Sequence, residues 1–349
     1  MEKKYNVCYD ILTILACVMV VFFHMNGIVY TFSDSVSWKI AVVERCIVYS
    51  AIPIFFMLSG AKLMGYRQRY STKEFVKKRL LRVGIPFLFW NIFYVFYEIV
   101  MSDEIPFRSV QEFISMFLNS EFQNRYWFFY PLFAVYAAIP VLSLLLQVEN
   151  HRKYLWYVVY ATFILRWVLV PICKLTGIQF NSYLLMPVSG GYLMYVIFGY
   201  LISTEQWGRG KRIFLYILAL ASGVFAVCYT ITASTAAGKL QSYLFSYDYF
   251  PSALTGAAIF VFVKQLFSKP LKDSVFQRGG KVTKLIRTVS ECCMGVWLTH
   301  SLGILVVAFF TNLKSADYIW RFLCPPLVFA TCVAGTFVVK KIPILKHIV

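Results

Sequence analysis

Apolar segments of membrane-spanning length recur along almost the whole chain, and they constrain its fold more than any motif does. A helix needs about 20 mostly apolar residues to cross the hydrocarbon core of a bilayer. Only 14% of the 349 residues are charged and 60% are hydrophobic, whereas roughly a quarter of a soluble domain is charged. We therefore predict an all-α fold, a polytopic membrane helix bundle of about ten transmembrane helices in a single domain, 1–349. The predicted spans are 9–30, 40–64, 83–101, 125–147, 153–173, 188–204, 212–232, 250–267, 291–310 and 318–339.

The positive charges are distributed unevenly between the two sides of this predicted bundle. Of the 34 Lys and Arg residues, 24 fall in the termini and loops of one side and 7 on the other. Cytoplasmic loops carry the excess of Lys and Arg, so we predict a multi-pass protein of the plasma membrane with both termini cytoplasmic. The net charge of +18 follows this topology, and we expect the lipid bilayer rather than nucleic acid as its partner.

Several classes of enzyme are disfavoured by missing motifs. The sequence contains no HExxH, Walker, GxGxxG or GxSxG motif, which argues against a zinc protease, a nucleotide-hydrolysing pump and a serine hydrolase. The nine cysteines lack CxxC spacing, and we predict no metal site.

Ionisable residues interrupt the apolar spans. His24 lies in the first span, which Asp10 opens. At a rise of 1.5 Å per residue, charged residues of other spans come to a depth similar to that of His24; they are Glu44, Arg45, Glu98 and Arg166. Buried charge in a membrane is costly and often functional. The alternative is a Glu44–Arg45–Arg166–Glu98 ion network that only packs helices.

This polar layer suggests chemistry at His24. The imidazole would act as a general base, a carboxylate such as Glu44 would orient it, and Arg166 or Arg45 would stabilise an oxyanion. His300, in a later span, is a candidate substrate contact or a packing residue.

A basic cluster precedes the third span. Lys78, Arg79 and Arg82 come shortly before Pro86, and the two arginines are three residues apart. Guanidinium groups on one helix face suit phosphate, although the general excess of cytoplasmic positive charge also explains them.

Five blocks of sequence resemble membrane acyltransferase family 3 in order and spacing. The first three are YDILTILACVMVVFFH, IPIFFMLSG (52–60) and FVKKRLLRVGIPFLFW (75–90). Two later blocks are RYWFFYPLFAVYAAIP (125–140), which contains Trp127, and GVWLTHSL (295–302). The resemblance covers essentially the whole chain.

The resemblance implies transfer of an acyl group, usually acetyl, from cytoplasmic acyl-CoA to a hydroxyl of a cell-surface glycan or lipid-linked sugar. His24 corresponds to the family's histidine, and Arg79 and Arg82 to its CoA-phosphate pair, beside which we place Lys78. Asp10, Arg45, Glu98, Trp127 and His300 are candidate substrate contacts. Family members commonly carry arginine at the position of Thr13. Either Arg166 or Arg45 replaces it, or the chain represents a divergent branch with another acyl donor or acceptor.

The sequence thus predicts an integral membrane O-acyltransferase that uses acyl-CoA, with acetyl-CoA the expected donor. The competing interpretation is a transporter or flippase that exports a glycan or its precursor. Inverted repeats or paired broken helices would favour transport, and the sequence shows neither.

Overall fold

A computed structural model describes residues 6–103, 105–186, 190–267 and 280–349. Lys3, Lys4, the first residues of the predicted span 188–204 and part of the basic loop 264–290 lie outside these ranges. The described residues form helices and connecting loops without a β-strand. The predicted all-α class is confirmed.

The longer helices of the described residues are labelled here in chain order. They are α1 Val7–Met25, α2 Val36–Val48, α3 Ala51–Leu63, α4 Thr72–Arg79, α5 Ile85–Ser102, α6 Val110–Leu118, α7 Phe129–Leu145, α8 His151–Thr162, α9 Val170–Thr176, α10 Leu193–Thr204, α11 Arg209–Ala237, α12 Phe250–Leu266, α13 Lys281–Thr311, α14 Tyr318–Phe322 and α15 Cys324–Lys341. Two π-helical segments, Leu80–Gly84 and Phe163–Leu169, join α4 to α5 and α8 to α9.

Eight helical stretches within the described ranges are long and apolar enough to cross a membrane. Two shorter apolar helices, α10 and α12, bring the total close to the predicted ten. The eight are Val7–Met25, Val36–Gln68, Thr72–Ser102, Asn124–Leu145, His151–Thr176, Arg209–Ala237, Lys281–Thr311 and Cys324–Lys341. The multi-pass bundle expected from the sequence is therefore confirmed.

Two predicted spans are interrupted. The segment 40–64 changes from α2 to α3 at Tyr49 and Ser50, and 318–339 is divided at Leu323 between α14 and α15. Each new helix has a proline in or near its first turn, Pro53 or Pro325. Proline is tolerated there because the amide that it lacks would have no intrahelical acceptor. A hydropathy pattern does not register such breaks, because both sides remain apolar.

Close contacts fix the helices that carry the polar residues. The α3 and α10 backbones approach at Gly60 and Gly199, where an added Cβ would lie only 1.8 Å from the Val196 carbonyl oxygen and 2.0 Å from that of Met57, respectively. Small residues allow this kind of approach between membrane helices. Helix α13 packs along both α1 and α15. These contacts set the mutual positions of α1, α3 and α13, on which the candidate site is built.

Candidate functional site

Two buried histidines from distant parts of the chain meet inside the bundle. The imidazole centroids of His24, near the end of α1, and His300, in α13, are 5.1 Å apart with an interplanar angle of 31°. His300 is 1% exposed, whereas His24 is partly exposed. The two rings therefore form a pair that is reachable at His24.

The hydrogen bonds of His300 define its tautomer. Nδ1 lies 2.8 Å from the Trp297 carbonyl oxygen and 3.2 Å from that of Val296. Carbonyl oxygens only accept, so Nδ1 carries the proton and donates it. The buried Nε2 has no hydrogen-bond partner among the described residues. It is thus left with an unused lone pair, as a general base requires.

Arg125 is a partly exposed cation in the 3₁₀ segment Asn124–Phe128 before α7. Its guanidinium is within electrostatic range of both His24 and His300. The charge count of the loops places it among the seven cations on the side opposite the termini. A guanidinium at this position is suited to stabilising negative charge that develops near the two imidazoles.

A chain of partly exposed aromatic rings begins beside His24. We call these rings the aromatic rim: Phe23, Tyr49, Trp127, Tyr192 and Tyr247. The Tyr247 ring lies 5.2 Å from Trp127 and 4.7 Å from Tyr49, while Phe23 contacts both His24 and Tyr247. Burial raises the pKa of Tyr247, so its hydroxyl stays protonated at neutral pH. The structure thus connects Trp127 to the predicted catalytic histidine through Tyr247 and Phe23.

A cavity of about 690 Å³ opens the bundle at the end where α1 begins and α15 ends. Its size is typical of a small-molecule or cofactor site. Arg79 and Arg82 contribute to its wall, and so does Trp297, whose ring centroid is 6.3 Å from that of His300. The cavity therefore extends from the arginine pair to a residue that contacts the histidine pair.

Arg79 projects towards this cavity from the last residue of α4. Its guanidinium carbon lies 5.6 Å from the centroid of Tyr136, another cavity residue. The buried Arg79 Nε has no hydrogen-bond acceptor among the described residues, which is the state expected of a donor awaiting an anionic ligand. The π-helical segment that carries Arg82 begins at the next residue, and such irregular turns are frequent at functional sites.

Lys78 is not part of the cavity wall. Its ammonium group pairs with Glu74 at 2.6 Å and lies 4.1 Å from the Tyr70 centroid. Of the three basic residues proposed for the donor, the structure brings only Arg79 and Arg82 to the cavity.

Thr13 has a lysine beside it. The Lys62 ammonium group donates to Thr13 Oγ1 at 3.0 Å, and both residues line the cavity. Asp10, one turn earlier in α1, accepts a 2.8 Å hydrogen bond from the cavity residue Ser290. Asp10 thus lies beside the cavity, near the opposite end of α1 from His24. Neither Arg45 nor Arg166 is the cation that contacts Thr13.

The alternative to a site, a Glu44–Arg45–Arg166–Glu98 ion network, does not form. Arg166 instead donates from Nε and Nη2 to Asp248 Oδ2, at 2.9 and 2.6 Å. Glu98 lies at an exposed position of α5. The helical rise that predicts a shared depth for these residues does not give their direction around the helix axis.

Glu44 and Arg45 also occupy positions other than those expected. Both Glu44 carboxylate oxygens are without hydrogen-bond partners among the described residues, so Glu44 makes no hydrogen bond that orients His24. Arg45 donates to the Phe23 carbonyl oxygen at 2.9 Å and to the Tyr30 hydroxyl. Arg45 therefore supports the rim through the Phe23 backbone. Arg166 binds Asp248, and this ion pair positions the segment next to Tyr247.

A family model described as an acyltransferase domain matches residues 6–340. The chain belongs to membrane acyltransferase family 3. Comparison with curated proteins and with solved structures gave no match. The matched range includes the histidine pair, the rim and the cavity residues up to Lys340 of this acyltransferase, and it favours the enzyme over the transporter interpretation.

Sequence reasoning had missed several residues of the site. Arg125 and Trp297 stand inside the family-like blocks at 125–140 and 295–302, which was a usable signal. Lys62 lies within the predicted span 40–64, and no motif marks it. Asp248 lies in a loop between α11 and α12, and no spacing pattern indicates its contact with Arg166.

Proposed function

We propose that this membrane acyltransferase is an O-acyltransferase that uses acyl-CoA, with acetyl-CoA the expected donor, to modify a hydroxyl of an extracytoplasmic glycan. One observation carries the proposal: the cavity that bears Arg79 and Arg82 ends at Trp297, whose ring contacts His300, and His300 contacts His24. An anion-binding end and a candidate base are thus joined through the interior of the bundle.

The donor would enter at the arginine pair. Forked guanidinium groups bind phosphate oxygens well, and the unpartnered Arg79 Nε supports such a ligand. The remaining wall towards Trp297 is largely apolar, with Phe128 and Phe129 among its residues. Such a wall suits an extended arm that carries a thioester.

The acceptor would approach from the aromatic rim. Ring faces and a few polar groups are a common lining for small-molecule sites. Tyr247, with Trp127 against it, contacts Phe23, which in turn contacts His24, the partly exposed ring of the pair. The cavity residue Thr13 lies towards the start of α1 and the rim residue Phe23 lies near its end, so donor and acceptor would reach the histidine pair from different ends of the helix.

The chemistry follows from the groups at this meeting point. His24 takes the proton from the acceptor hydroxyl as its oxygen attacks the thioester carbonyl. The new C–O bond forms, the C–S bond breaks, and the proton passes to the departing CoA thiolate. Arg125 stabilises the oxyanion that develops between these steps. An acyl-His24 relay is a variant of the same scheme.

The charge bias of the loops supports an orientation in the plasma membrane. The cavity lies at the end of the bundle with the termini and the Lys- and Arg-rich loops. An excess of Lys and Arg marks the cytoplasmic side of a membrane protein, so this would be the cytoplasmic end. The rim then faces outward, where a cell-surface glycan or lipid-linked sugar is available.

Replacing His24 tests the proposal. We expect His24→Ala to abolish acylation of the cell-surface glycan, measured by mass analysis, at wild-type abundance in the membrane. Tyr243→Ala is a matched control, because this exposed aromatic residue belongs neither to the rim nor to the pair. Unchanged glycan acylation in the His24→Ala strain would overturn the proposed function.

A further inference from the structure

The C-terminal segment, residues 342–349, folds back beside the cavity. It leaves α15 at Ile342 and forms a single 3₁₀ turn at Leu345–His347. Trp90 Nε1 then donates to the Ile348 carbonyl oxygen at 2.8 Å. Because Trp90 belongs to α5, this hydrogen bond fixes the segment to the helix that directly follows Arg82.

The segment contributes one lysine and one histidine side chain to the cavity wall. Lys346, His347 and Val349 all line it, and Lys346 and His347 are exposed. The segment therefore forms part of the same surface as the arginine pair, although more than 250 residues separate them in the sequence.

The charge of this surface is strongly one-sided. Its basic residues come from α3, the α4–α5 junction, the end of α15 and the C-terminal segment; they are Lys62, Arg79, Arg82, Lys340 and Lys346. Glu291 is the acidic side chain among the described residues that line the cavity, and it already accepts from Arg287 at 2.9 Å. A cavity with this balance attracts a ligand that carries several negative charges.

Resting on the proposed function, we propose that residues 343–349 form a wall of the donor site. Lys346 and His347 bind phosphate groups of the acyl-CoA donor together with Arg79 and Arg82, and Trp90 holds the segment in place. The nucleotide end of CoA carries several phosphate groups, more than two guanidinium groups neutralise. Additional donors from a second element supply the missing contacts.

Binding of CoA to the purified full-length protein tests this role. In nanodiscs of phosphatidylcholine, we expect Lys346→Ala/His347→Ala to raise the Kd for CoA about 10-fold, as loss of a charge-assisted hydrogen bond does. The KM for acyl-CoA should rise by the same factor while kcat at saturating donor stays unchanged. Trp90→Phe keeps the ring but removes the N–H group, and it should give a smaller rise in Kd.

A matched control is available at the end of α15. Lys341 lies 4.5 Å from the Phe337 centroid and is not part of the cavity wall. Lys341→Ala removes an equal charge from the same region, and we expect its Kd for CoA to remain that of the wild type. Lys346→Gln/His347→Gln, with longer polar side chains than alanine, repeats the test should the alanine variant be poorly folded.

The outcomes separate this inference from the function on which it rests. If the wild type fails to bind CoA, the proposed donor is wrong and the inference falls with it. If Arg79→Ala/Arg82→Ala abolishes binding but the Lys346/His347 variants bind as the wild type, only the inference is overturned. An anionic lipid headgroup is the other source of phosphate. A defect seen solely in phosphatidylglycerol nanodiscs would assign the segment to lipid and overturn its role in donor binding.

Discussion

The imidazoles of His24 and His300 are in contact, with their centroids 5.1 Å apart, although they belong to α1 and α13. Around them the bundle divides into a basic cavity on one side and an aromatic rim on the other. His24 is partly exposed on the rim side, whereas Trp297, one turn from His300, belongs to the cavity. The pair is therefore the natural boundary between donor and acceptor.

His300→Asn should lower kcat, because it removes the imidazole that contacts the proposed base His24, and we expect the loss to fall within the range of about 10²- to 10⁴-fold that a general base contributes. Asparagine retains an N–H donor for the Trp297 carbonyl oxygen, but it has no counterpart of Nε2. Rates of acyl transfer at saturating donor and acceptor measure the effect.

The outcome for a purely structural His300 would be different. In that case His300→Asn, which preserves the hydrogen bond within α13, would leave kcat and abundance nearly unchanged. His300→Ala serves as the comparison, because it removes both ring nitrogens and also creates a cavity in the core.

Arg125→Gln should reduce kcat about 10²- to 10³-fold, which is typical for loss of an oxyanion-stabilising group. The charge of Arg125 acts on both histidines, and glutamine keeps a polar side chain without the charge. Arg108→Gln, at an exposed loop position, is the control and should keep wild-type activity. Equal kcat values for the two variants would contradict the role of Arg125.

The fold was largely predictable because lipid imposes a simple rule. Spans must be apolar and about 20 residues long, so a bundle of about ten helices follows from hydropathy alone. The breaks at Tyr49 and Leu323 were not predicted from hydropathy, although Pro53 and Pro325 mark the helices that follow them. Helices α10 and α12 are shorter than about 20 residues, so a criterion based on helix length alone would miss them.

The site was predictable in its local parts. His24 and the Arg79/Arg82 pair lie in sequence blocks that resemble the family. The structure places His24 beside His300 and the arginine pair in the cavity wall. The sequence could not exclude Glu98 from the site, because its depth along α5 does not reveal that its side chain is exposed. The Arg166–Asp248 ion pair joins a π-helical segment to an irregular loop, and neither has a periodic signature.

Arg79→Ala and Arg82→Ala should each raise the KM for acyl-CoA about 10- to 100-fold, with little change in kcat. A hydrogen bond to a charged group contributes about 1.5–3 kcal/mol, and the arginines are remote from the histidine pair. Lys78→Ala is the matched control, because Lys78 pairs with Glu74 outside the cavity wall. A KM that rises equally in all three variants would indicate a general electrostatic effect instead of a donor site.

Lys62→Ala should weaken donor binding, since it removes the cation that contacts Thr13 inside the cavity. Adding Thr13→Arg to this variant returns a positive charge to the same place from α1, and we expect it to recover much of the lost activity. Acyl-transfer rates of both variants, normalised to membrane abundance, measure the effect. Activity that remains low in the double variant, at normal abundance, would mean that Lys62 acts through something other than its charge.

Gly60→Ala and Gly199→Ala should destabilise the bundle and lower the amount of folded protein. An added Cβ would lie 1.8 Å from the Val196 carbonyl oxygen or 2.0 Å from that of Met57, so α3 and α10 must separate. Overpacking of this kind typically costs about 1–3 kcal/mol, and backbone atoms yield less readily than side chains. Thermal unfolding of purified protein measures the loss.

Gly223→Ala in α11, where a Cβ meets nothing within 4 Å, is the control and should unfold at or above the wild-type temperature. If all three variants unfold together, the close approach of α3 to α10 does not limit stability.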